Sequence, residues 1–181
     1  MPRYLALFGS INVGGNRLTM ADLRHAFERE GFENVETVVA SGNVLFDYDE
    51  RPTDGLEEML AHLLAERFDI DSFAAVRTRE ELAEAVAGNP FVADGEQNLV
   101  HTLFLSAAVD SANFEALCAA YAGRGPERLA CGDRALYIDY VAGVGGSRLT
   151  NGFIERRLGC RGTARNVRSL ARILAKMTEE Q

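Results

Sequence analysis

Three observations predict an α+β fold built from two βαββαβ repeats. Apolar runs of strand length and stretches of helical periodicity follow one another in the same order in both halves of the 181 residues. The segment Ala40-Ser41-Gly42-Asn43 is matched 90 residues on by Ala130-Cys131-Gly132-Asp133, and Val44-x-Phe46-Asp47-Tyr48 is matched 92 residues on by Leu136-x-Ile138-Asp139-Tyr140. With 47% hydrophobic and 25% charged residues, the chain has the composition of a globular protein that buries a core, which excludes disordered, collagen-like and disulfide-scaffold classes. The expected architecture is two ferredoxin-like halves, residues 1–88 with a connecting helix and residues 89–181 with a basic C-terminal helix. Each half is an antiparallel sheet with helices packed on one face.

The elements follow in order. Arg3 to Phe8 is an apolar run ended by Gly9, the pattern of a strand buried on both faces. A loop rich in Gly and Asn leads to Thr19, which with Asp22 marks a helix start, and Met20, Leu23 and Phe27 share one helical face until Gly31. Val35–Ala40 and Val44–Tyr48 read as strands joined through a Ser41-Gly42-Asn43 turn. Leu56, Leu60, Leu63, Leu64 and Phe68 recur at helical spacing, and Phe73–Val76 is the next strand. The helix from Thr78 carries a Thr78/Glu81 capping box and breaks at Gly88-Asn89-Pro90. The order then repeats: a strand at 100–105, a helix from about Asp110, strands at 128–131 and 136–141, a helix over about 149–158, a short extended piece at 161–164 and a last helix after Asn166.

The net charge of -8 conceals an uneven distribution. Between Arg148 and Lys176 stand eight basic residues and one acidic residue, so this stretch carries +7 and the remainder -15. Arg168, Arg172 and Lys176 form one stripe on the last helix. A basic surface of this kind attracts anionic partners. The segment has no aromatic residue exposed among its arginines and no ribonucleoprotein signature, so nucleic acid is disfavoured against a small anionic molecule. No run approaches the ~20 apolar residues of a membrane span, and the first residues lack the apolar region of a secretory signal. Three widely spaced cysteines form neither a disulfide framework nor a zinc pattern, and the three histidines are scattered, so no metal or cofactor is expected and a reducing cytoplasm is the expected setting. The quaternary expectation is a monomer or homodimer.

Two loops share a chemistry suited to anions. Residues 9–17, with Asn12, Gly14, Gly15 and Arg17, join the first strand to its helix; residues 143–151, with Arg148, Thr150 and Asn151, precede the penultimate helix. Glycine lets backbone N–H groups converge on an anion, and a helix start adds partial positive charge. Neither loop matches a P-loop or Rossmann fingerprint. Arg165 and Asn166 open the last helix, with Asn166 as its N-cap and Arg165 facing the same cleft as Arg148. Ser41, Gly42 and Asn43 complete the candidate set. Cys160, close to Arg156, Arg157 and Arg161, is the thiol whose pKa neighbouring cations would lower. The expected function is binding of an anionic or phosphorylated small molecule. An enzyme acting on such a ligand and a nucleic-acid or protein interaction module are the alternatives.

The motifs Leu7-Phe8-Gly9-Ser10-Ile11-Asn12-Val13-Gly14-Gly15, Ser41-Gly42-Asn43-Val44-Leu45-Phe46, Ser147-Arg148-Leu149-Thr150-Asn151 and Ala164-Arg165-Asn166, in this order, resemble the bacterial family known as domain of unknown function 1697. The resemblance spans nearly the whole chain and implies an α+β fold of duplicated ferredoxin-like character, with no assigned activity, substrate or catalytic residues. Departures are visible: the family's first motif has Arg at the position of Gly9 and Gly at that of Ser10, Arg is common where Gly146 stands, and Trp is usual at Val167.

Overall fold

The computed structural model describes residues 1–9 and 18–179. The chain divides into two compact units, Met1–Leu82 with Arg172–Gln181, and Ala83–Ala171. The first contains β1 (Arg3–Phe8), α1 (Met20–Arg29), β2 (Glu33–Val38), β3 (Ala40–Asp47), α2 (Thr53–Phe68) and β4 (Ala74–Thr78). The helix α3 (Arg79–Ala87) then crosses the division. The second unit contains β5 (Val100–Leu105), α4 (Ser111–Tyr121), β6 (Arg128–Gly132), β7 (Ala135–Asp139), α5 (Asn151–Leu158) and β8 (Gly162–Asn166), and α6 (Val167–Glu179) follows. The sheets are antiparallel, ordered β2-β3-β1-β4 and β6-β7-β5-β8. The same topology thus occurs twice, as the repeat predicts.

Burial explains the sequence patterns. In the first unit Tyr4, Ala6 and Phe8 alternate onto the face carrying α1 and α2, where they join Phe27, Phe46, Leu56 and Leu60. Leu5 and Leu7, on the opposite face, are equally buried, so β1 shows a continuous apolar run. Phe32 lies 5.2 Å from Phe27 and 5.0 Å from Phe46, edge-on to the latter. Thr19 accepts from the Asp22 amide and caps α1. On α2 the buried Glu57 accepts from Arg77 Nη1 at 2.6 Å and from the Val76 amide at 3.0 Å, tying the helix to β4. In the second unit Leu103, Leu105, Leu136 and Ile138 pack with Leu117, Ile154 and Leu158. Arg128 lies over the Phe91 ring and pairs with Asp139 at 2.6 Å and Asp94 at 2.9 Å, and its hydrogen bonds hold the Asp94 carboxyl below the usual carboxylate range.

The first hairpin departs from the expectation. Its turn is at Val39, which has φ +65°, while Ser41, Gly42 and Asn43 lie inside β3. Thr37 pairs with Val44 but Val38 pairs with Ala40, so the ladder shifts register across this segment and β3 is bulged. The buried Asn43 donates from Nδ2 to the Val38 carbonyl at 3.2 Å and holds the bulge closed. In the second unit the corresponding hairpin closes tightly at Asp133-Arg134, with Gly132 opposite Ala135. The 92-residue offset survives in the register, since Asp47 and Asp139 face the first residues of β1 and β5. The 90-residue offset at the turn does not, because the first hairpin has the longer excursion. The expected extended piece at 161–164 is a full strand, β8, paired along β5.

The register also enlarges the repeat. Arg77-Thr78 stands opposite Leu5 and Tyr4, as Arg165-Asn166 stands opposite Thr102 and His101. Thr78 exchanges hydrogen bonds with Glu81 and Asn166 accepts from the Ser169 amide, so in both halves the fourth strand ends in the cap of the next helix. The connecting helix α3 is thus also the counterpart of α6.

Candidate functional site

The second unit carries a groove between the α4–β6 turn and the glycine-rich loop that leaves β7. Glu127 is its keystone. Tyr121 donates its hydroxyl to Glu127 Oε2 at 2.6 Å, Ser147 donates to Oε1 at 2.7 Å, and the Leu149 amide donates to Ser147 Oγ at 3.1 Å. Burial alone would raise the Glu127 carboxyl, but the bonds from Tyr121 and Ser147 bring it below its ordinary value. Burial, with the Glu127 hydrogen bond, pushes the Tyr121 phenol up. Gly125 permits this approach: a Cβ there would lie 2.2 Å from Glu127 Oε2 and 2.7 Å from the Tyr121 hydroxyl.

Two hollows flank the carboxylate. One, of about 260 Å³, is lined by Arg124, Gly143, Gly146, Ser147 and Arg148; the other, of about 170 Å³, by Cys118, Tyr121, Ala122 and Leu129. Gly125 and Glu127 belong to both. Arg157 stacks on the Phe153 ring at 3.5 Å and donates to the Phe153 carbonyl, while Arg124 lies over the same ring at 5.4 Å. Among the described residues none of Arg124, Arg148 and Arg157 forms an ion pair. The loop is entered through Val141, whose φ is +57° and whose following amide, of Ala142, donates back to the Tyr140 carbonyl. This is a tight reversal that a β-branched residue adopts under strain.

The family model described as a protein of unknown function (DUF1697) matches residues 1–137. The chain belongs to this family. Its fold is also similar to that of the conserved bacterial protein SP0830 from Streptococcus pneumoniae, with a TM-score of 0.71 at 21% identity over 98% of this chain and 99% of that one. No curated protein matches. Of the four motifs that carry the resemblance, the first two lie inside the residues matched by the DUF1697 model.

Asn12, Gly14, Gly15 and Arg17 lie outside the described residues. Ser41, Gly42 and Asn43 form the bulge of β3. Arg148 lines the groove, Thr150 caps α5 by accepting from the Phe153 amide, and Asn151 is the exposed first residue of that helix. Arg165 does not face the Arg148 cleft. Its neighbour Ala164 pairs with Leu103 and packs with the α4/α5 core, so strand alternation sends Arg165 to the opposite face of the sheet. There it donates to Thr163 and to the Ala164 carbonyl, and burial pulls its pKa down to about 10. Cys160 also reverses the expectation: burial pushes its thiol up despite the neighbouring arginines. Sequence reasoning does not single out Arg124 and Glu127. Their signal was Gly123-Arg124-Gly125-Pro126-Glu127, a turn cluster with charges of both signs. Among the described residues no His, Cys, Asp and Glu group could hold a metal ion, and no helix is long and apolar enough to cross a membrane.

Proposed function

We propose that this protein binds a small anionic or phosphorylated molecule in the groove between the α4–β6 turn and the loop 142–148. The observation that carries this reading is the convergence of Arg124 and Arg148 on one hollow beside a glycine-rich loop, where neither guanidinium forms an ion pair among the described residues. Guanidinium groups suit planar, bidentate recognition of phosphate and carboxylate. Glycines at 143 and 146 leave the rim open to an approaching ligand, and nothing lies within 4 Å of a Cβ built at Gly146. Three free cysteines, one of them exposed, suit a reducing cytoplasm as the place of action.

The test is calorimetric titration of the full chain with inorganic phosphate, pyrophosphate and a panel of phosphorylated metabolites. A charge-assisted hydrogen bond is worth ~1.5–3 kcal/mol, so Arg148→Ala or Arg124→Ala should weaken a bound anion by roughly tenfold or more. Absence of heat and of thermal stabilisation at millimolar concentration across the panel would refute the reading, as would binding that both variants leave unchanged.

A further inference from the structure

The groove is not simply cationic. Glu127 lines the same 260 Å³ hollow as Arg124 and Arg148, and it stands at the junction with the 170 Å³ hollow beyond. A carboxylate has about four acceptor positions, and the side chains of Tyr121 and Ser147 fill one on each oxygen. Both of these partners are neutral hydroxyls, so they satisfy hydrogen bonds without cancelling the charge. Among the described residues Glu127 forms no ion pair, and the bonds that hold it keep it ionised at neutral pH. A purely anionic ligand drawn to the arginines would meet this negative charge at close range and be repelled by it. A ligand that also carries a cationic donor would instead use the acceptor positions left open.

We infer that the groove recognises a small zwitterion, with its phosphate or carboxylate on Arg124 and Arg148 and an ammonium group directed at Glu127. This rests on the anion-binding reading above and narrows its ligand class. The second hollow, lined by Cys118, Tyr121, Ala122 and Leu129 and more polar than apolar, leaves room past the carboxylate for the ammonium end of such a molecule. Glu127 is then a specificity residue in addition to anchoring Ser147.

Two probes of equal length separate the readings: O-phosphoethanolamine, which carries the ammonium, and 2-hydroxyethyl phosphate, which replaces it with a hydroxyl. Titrated into the full chain beside inorganic phosphate, the amine should bind at least fivefold more tightly than its hydroxyl counterpart. Glu127→Gln should erase that preference, leaving the amine and its hydroxyl counterpart with equal affinity. Equal affinity of the two probes in the unmutated chain, with phosphate still bound, overturns the zwitterion and leaves the anion groove in place; failure of all three overturns both. A preference that persists in Glu127→Gln overturns the role of Glu127. The comparison of probes in the unmutated chain needs no variant, so it decides the ligand class even if the variant folds poorly.

Discussion

At the scale of single residues, the groove depends on which glycines the fold itself requires. Gly125 is required, because any side chain there collides with the paired ends of Glu127 and Tyr121. Gly125→Ala should therefore displace Glu127 and cost ~1 kcal/mol or more in denaturant unfolding, the worth of a lost partly buried hydrogen bond. Gly146 is not required, since a Cβ there meets nothing within 4 Å and its φ is not in the left-handed region. Gly146→Ala should leave the protein as stable or up to ~1 kcal/mol more stable, while its methyl group crowds the hollow and weakens phosphate binding in the same titration. Glu127 also sets a pH dependence. Its carboxyl is held below the ordinary value, so its contribution to stability is complete above that value, about 4.3, and is lost as pH falls through the native one. Acid unfolding of Glu127→Gln followed by circular dichroism should show a shallower loss below pH ~4 than that of the parent chain.

At the scale of elements, the two hairpins show how one topology tolerates different local solutions. The second uses Asp133-Arg134 in a tight turn, with only Arg134 at positive φ. The first forces Val39 to φ +65°, a conformation that costs an L-residue ~1–2 kcal/mol and a β-branched one most. Asn43, buried behind that turn, compensates by bonding the Val38 carbonyl. Val39→Asn should thus raise the unfolding free energy by ~1 kcal/mol, measured by urea titration; an unchanged or lower value would mean that the turn is not strained. The same register shows that the connecting helix has a counterpart: the pairing of Thr78 with Tyr4 and of Asn166 with His101 makes α3 and α6 equivalent.

At the scale of the whole molecule, the +7 stretch between Arg148 and Lys176 is divided among several elements. Arg148 belongs to the groove, Arg157 to the Phe153 stack, and Arg165 to the far face of its sheet, while Arg168, Arg172 and Lys176 are exposed along α6. Ligand attraction by exposed arginines on a body of net negative charge is a screened interaction. Phosphate affinity should accordingly fall severalfold between 0.05 and 0.5 M sodium chloride, as the Debye length shrinks from roughly 14 to 4 Å. Affinity insensitive to salt would point to binding by backbone amides alone.

The order of elements, the apolar faces, the helix caps at Thr19, Thr78 and Asn166 and the duplication were legible in the sequence, because periodicity and capping are local and the chain repeats them. The place of Arg148, beside glycines ahead of a helix, was legible for the same reason, and it lines the groove. What the sequence could not show is which side of a strand a residue occupies once pairing is chosen. A single step along β8 sends Arg165 away from Arg148, and a bulge turns Ser41-Gly42-Asn43 from a turn into a strand. Nor could it show that Glu127, twenty residues before Ser147 and six after Tyr121, is bonded to both. Those contacts exist only after the strands align and α4 packs, so tertiary structure alone decided where the groove is and which charges face into it.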